Sequence, residues 1–156
     1  MKKLLSLLFV FTLVACGGSD DVDDANDADD NRIFTERYNG FGYEYIYSEM
    51  DDVDYYFISN SANFLTYIET IDGVTNCYEY REGQMTNYGE EFNVSITTND
   101  SARLVISVSY TDSGVDYTDS IEFTMSSDGN TLTVKYDPTD IDTFTKTTAT
   151  LASLCN

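Results

Sequence analysis

Residues 103–110 read Arg103-Leu104-Val105-Ile106-Ser107-Val108-Ser109-Tyr110, with Leu104, Ile106, Val108 and Tyr110 on one parity and Arg103, Ser107 and Ser109 on the other. Side chains alternate faces along a strand, so this spacing predicts one face toward a core and one toward water. Working outward, the same period recurs. Asn99-Asp100-Ser101 marks a turn back to Phe92, Val94 and Ile96, and Asp112-Ser113-Gly114 leads on to Val115 and Tyr117, then Ile121, Phe123 and Met125. Ser127-Asp128-Gly129-Asn130 turns the chain into Leu132, Val134 and Tyr136, and Asp137-Pro138-Thr139-Asp140 into Thr143 to Thr148. The only proline therefore falls in a turn, where a missing N–H costs the sheet nothing.

Toward the N-terminus, Phe41, Tyr43, Tyr45 and Tyr47 alternate with Gly42, Glu44 and Ile46, and Tyr55 to Ile58 is apolar on both faces. Phe64 to Ile71 and Val74 to Tyr80 flank Asp72-Gly73, the strongest short hairpin signal, because a type I′ turn needs positive φ at both central positions. Composition agrees with the periodicity: 13 Tyr and 9 Phe among 156 residues, with much Thr and Ser, suit a pleated surface. Short links between successive strands make them antiparallel neighbours. The expectation is an all-β fold, an antiparallel meander of about eight strands closed into a barrel or partly open, with a two-layer β-sandwich as the alternative.

Met1-Lys2-Lys3 is a short basic segment, and Leu4 to Ala15 is a twelve-residue apolar run. As a helix it spans about 18 Å, short of the roughly 30 Å of a membrane core, which reads as a secretory signal. The run ends Leu13-Val14-Ala15-Cys16, which resembles the lipobox of bacterial lipoproteins. The resemblance implies cleavage between Ala15 and Cys16 and lipidation of the Cys16 thiol, with two or three acyl chains giving durable anchoring. Gly17 rather than Asp follows the cysteine, which in that family leans toward the outer membrane, with the protein facing the periplasm or the cell surface.

The expected organisation is thus a signal peptide over residues 1–15, the lipidated Cys and an acidic tether over 16–31, and one domain over 32–156. The tether holds seven aspartates between Asp20 and Asp30 and one larger apolar residue, Val22, so it lacks the surface to fold alone. The frames that start at Asp21 and Asp24 fail the third ligand position of a calcium loop, at Ala25 and Ala28, and no Gly or closing Glu follows in the segment. The element order and the Ser126-to-Tyr136 hairpin are similar to those of small lipocalin-like bacterial lipoproteins over about residues 34–148, although the Gly-x-Trp signature of true lipocalins is absent.

The net charge of −20 repels phosphate backbones and anionic headgroups, so no nucleic acid is expected as a partner, and membrane contact runs through the lipid. With no His, Ser-His and Cys-His hydrolysis are excluded, and the commonest metal ligand is missing. No phosphate-binding glycine loop occurs, and neither a cofactor nor a metal site is expected. Cys77 and Cys155 are read as a disulfide formed after export; it would close a loop worth roughly 4 kcal/mol of chain entropy.

Candidate site residues follow from the aromatic strands. Tyr43, Tyr45 and Tyr47 are candidates to face a ligand, with core packing as the competing reading. Glu44 and Glu79, inside aromatic strands, are the carboxylates to watch for a carbohydrate-active enzyme. Glu49 to Asp54 and Asp137 to Asp142 are loop acids that calcium would need, with solvated turns as the competing reading. The leading expectation is a non-catalytic binding or structural domain of a lipid-anchored envelope protein. The rivals are a lipocalin-like carrier of a small apolar ligand and a carboxylate enzyme.

Overall fold

The computed structural model describes residues 31–47, 52–85 and 92–155. The chain enters through a one-turn helix, α1 (Phe34–Arg37), and then runs β1 (Gly42–Ile46), β2 (Val53–Ile58), β3 (Asn63–Ile71), β4 (Val74–Arg81) and β5 (Gln84–Met85). The second half runs β6 (Asn93–Asn99), β7 (Arg103–Asp112), β8 (Val115–Met125), β9 (Thr131–Lys135) and β10 (Ile141–Thr147), and ends in α2 (Leu151–Leu154). All ten strands belong to one antiparallel sheet ordered β5-β4-β3-β2-β1-β10-β9-β8-β7-β6. The meander is therefore continuous, with its first and last strands paired in the middle and β5 and β6 left at the two edges.

Those edges curl toward each other. Gly83 N–H, in the β4–β5 turn, donates to the Val94 carbonyl of β6 at 2.7 Å, and Ile96 N–H donates to Glu82 Oε1 at 2.9 Å. The sheet is a nearly closed barrel, not a two-layer sandwich. Ten strands stand where about eight were expected; the shortest, β5, is only two residues long and carries no readable period. The Asp-Gly signal is realised as written: Asp72 and Gly73 have φ of 51° and 77°. Ser113 and Gly114 repeat the pattern at 51° and 81°, so the β7–β8 hairpin places a serine in the left-handed region.

The period-two pattern sorts the two faces. Leu104, Ile106 and Val108 of β7 point inward with Val94, Leu132, Val134 and Phe144, all of them buried. Tyr56 of β2 crosses the interior, its ring centroid 5.1 Å from Phe144 of β10 and 5.3 Å from Phe123 of β8 on the far wall. The centre of the barrel is thus filled with side chains. Helix α1 stoppers one end: Phe34 is fully buried, Thr35 N–H donates to Asn99 Oδ1, and Asn99 Nδ2 returns a bond to Thr35 Oγ1.

The outer wall of β1 to β4 is also partly buried. Gly42, Phe57, Thr66 and Glu79 stand in register in one row, and Glu44, Tyr55, Ile68 and Cys77 in the next. Gly42 has a packing reason, since a Cβ there would overlap the Phe57 ring. Cys77 is bonded to Cys155 with the Cα atoms 6.1 Å apart, which ties the C-terminal segment across this wall. Ile68, beside Cys77 in that row, is fully buried although it lies outside the interior cluster.

Candidate functional site

Polar side chains gather at two places. The first is the barrel end opposite α1, where β1, β3 and β9 finish and β2 and β10 begin. Alternation that buries Tyr56 brings Asp54 inward one step nearer this end, and its Oδ2 accepts the hydroxyls of Tyr47 and Tyr67, each at 2.9 Å. The hydroxyls of Tyr56 and Tyr136 meet at 3.0 Å. Burial, aided by Asp54, pushes the Tyr47 and Tyr67 phenols well above the usual tyrosine range. Tyr136 is raised to about 12, chiefly by burial. These phenols therefore stay protonated and act as donors. Burial, with Asp140 and Asp54 nearby, also holds the Asp142 carboxyl above its ordinary value. The result is a hydrogen-bonded belt of tyrosines around carboxylates, sealing the end of a packed core.

The second place is a groove of about 290 Å³ on the outer wall. Phe57, Thr66 and Glu79 line it from the strands, Asn39, Ser59 and Asn63 from the end nearer α1, and Ala149, Thr150 and Leu151 from the C-terminal segment. Local bonds set this geometry. Thr147 Oγ1 donates to Glu44 Oε2 at 2.8 Å and accepts Ala149 N–H at 3.2 Å, steering the chain off β10 toward the groove. Ser153 Oγ then accepts Thr150 N–H and donates to the Thr150 carbonyl, starting α2. Glu79 Oε2 accepts from Asn63 Nδ2 at 2.8 Å and from Arg81 Nη2 at 3.2 Å, and the Arg81 Nε–H close by is buried with no acceptor.

The candidate residues separate between these places. Tyr43 is a correction: it is fully buried, its hydroxyl donates to the Gly129 carbonyl at 3.0 Å, and it has no surface for a ligand. Tyr45 is half-buried between Tyr47 and Phe144, with ring centroids 4.9 Å and 5.6 Å away. Tyr47 reaches the belt through Asp54. Glu44 and Glu79 do not converge, because β2 and β3 separate their strands by about 14 Å at the usual inter-strand spacing. That exceeds the separation a glycosidase carboxylate pair requires.

Asp137, in the β9–β10 turn, accepts the N–H groups of Thr139 and Asp140 and the Thr139 hydroxyl, as a turn aspartate does. Part of the Glu49 to Asp54 cluster, and Ala15, Cys16 and the tether, lie outside the described residues. Among the described residues no three His, Cys, Asp or Glu side chains gather as metal ligands. The same residues contain no helix long and apolar enough to cross a membrane.

The groove was not legible in the sequence. Its walls come from distant parts of the chain, residues 39–79 and 149–151, joined by a disulfide that spans 78 residues; only the Cys77–Cys155 pairing signalled that the C-terminus returns to β4. Comparison with protein-family models, curated proteins and solved structures finds no match to this chain.

Proposed function

We propose that this chain is a lipid-anchored lipoprotein of the bacterial outer membrane whose barrel serves as a binding or structural module without catalysis. The filled interior carries the reading of the barrel: Tyr56 packs against Phe144 and against Phe123 of the far wall, where a lipocalin-like carrier of an apolar ligand would keep a chamber. Recognition then falls to the outer surface and the ends. The wide separation of Glu44 and Glu79 and the absence of His weigh against hydrolysis. The anchor rests on Leu13-Val14-Ala15-Cys16, and the Cys77–Cys155 bond supports export, since such bonds persist in oxidising compartments.

The test is expression in a Gram-negative host fed labelled palmitate, followed by fractionation and intact mass. The wild-type chain is expected in the outer-membrane fraction, labelled and starting at a modified Cys16. Cys16→Ala is expected to lose the label. An unmodified wild-type chain beginning at Met1 would overturn the proposal.

A further inference from the structure

We infer that the groove between the outer wall of β2–β4 and the disulfide-tied C-terminal segment is a binding site for one neutral, saccharide-sized ring. This deepens the binding-module reading of the barrel and is independent of the lipid anchor. The size comes first. At about 290 Å³ the groove sits at the lower end of small-molecule sites, which suits a single six-membered ring better than a peptide or a lipid chain.

The lining has the two chemistries of a pyranose. Leu151, which is exposed, and half-buried Ala149 supply apolar surface for a face of ring C–H groups, and buried Phe57 adds only an edge at the floor. Asn63, Glu79 and Thr150 bring amide, carboxylate and hydroxyl groups into the lining, with the second Glu79 oxygen and the Asn63 carbonyl oxygen as the acceptors for ring hydroxyls.

Charge selects against anions. The barrel is strongly acidic, and the one carboxylate in the groove lining, Glu79, is paired with Arg81 at 3.2 Å, so a neutral ligand enters without an unbalanced charge. That single carboxylate also fits binding without hydrolysis, which needs a pair. The site is held ready before any ligand arrives. Glu79 is oriented by Asn63 and Arg81, the Phe57 ring sits over Gly42, and the covering segment is fixed by Cys155. Such preorganisation lowers the ordering cost of binding a small solute.

The experiment is an amide chemical-shift titration of the full chain in a detergent without a sugar headgroup. The probes are methyl glucoside, methyl galactoside, methyl mannoside and N-acetylglucosamine, taken to about 50 mM so that a millimolar site fills. Saturable shifts with at least one probe are expected at Gly40, Ser59, Asn63, Ala149 and Thr150. Ser61→Trp, at an exposed position on the groove, is expected to weaken binding about tenfold or more while the amide shifts of β7 and β8, on the other side of the barrel, stay unchanged.

No saturable shift with any of the four probes overturns the inference. So do shifts centred on the Tyr47–Asp54–Tyr67 belt, and binding that Ser61→Trp leaves intact. A dimer in sedimentation that Ser61→Trp dissociates would assign the groove to a second copy of the chain instead. A chain that labels with palmitate yet binds no sugar loses this inference alone, whereas one that binds sugar without the label loses the anchor alone.

Discussion

Asp142 and Asp137 lie five residues apart and respond to pH with opposite signs. Asp137 is held below its ordinary value by the N–H groups and the hydroxyl it accepts, so its contribution to stability is present above that value and lost as pH falls. Asp142 is held above its ordinary value by burial and by Asp140 and Asp54. The folded state therefore favours its protonated form. Its contribution is fully present below the unfolded carboxylate value of about 4 and is lost as pH rises through the raised value. Asp142→Asn is accordingly expected to melt above wild type at pH 7, and the difference to vanish below about pH 4. Melting curves across that range check it; an unchanged difference at both ends would remove the charge explanation.

Among the elements, the C-terminal segment depends most on a single bond. Helix α2 is one turn long, far below the length at which an isolated helix holds, and its residues are exposed or half-buried. The Cys77–Cys155 bond supplies the constraint that packing does not. Replacing both cysteines with serine is expected to cost about 2–5 kcal/mol in urea unfolding. It should also raise hydrogen exchange across Ala149–Leu154 while the β7 and β8 amides stay protected. The hairpins need no such tie. Asp72-Gly73 and Ser113-Gly114 turn tightly, and β7 and β8 pair over ten residues of each from Arg103↔Thr124 to Asp112↔Val115.

For the whole molecule, charge and closure oppose each other. From Arg32 onward, 21 acidic residues face six basic ones on one barrel, so like charges repel across the folded surface. Among the described residues the ion pairs, such as Arg103–Glu122 at 3.2 Å, are surface contacts of modest worth. Raising NaCl from about 20 mM to about 500 mM shortens the screening length from about 20 Å to about 4 Å and is expected to raise the melting temperature. A melting temperature that falls or stays level would mean that self-repulsion is not a significant term. The seam between β5 and β6 is the natural place for the barrel to open first, since among the described residues the bonds that bridge it come from the β4–β5 turn.

Apart from two-residue β5, the strands were legible in the sequence, because the alternation of apolar and polar residues is a local record of which face meets the core. Arg103 to Tyr110 and the Asp72-Gly73 turn could be read without knowing any neighbour, and the cysteine pair was legible because there were few ways to combine it. Tertiary structure alone decided which apolar residues meet. Tyr43 and Tyr47 share a strand face and a chemistry, yet one is sealed under Gly129 and the other sits in the tyrosine belt. Periodicity reports the side of a sheet, not depth along a barrel. Barrel closure, the filled centre and the groove under the C-terminus depend on contacts between distant segments, and no local pattern encodes those.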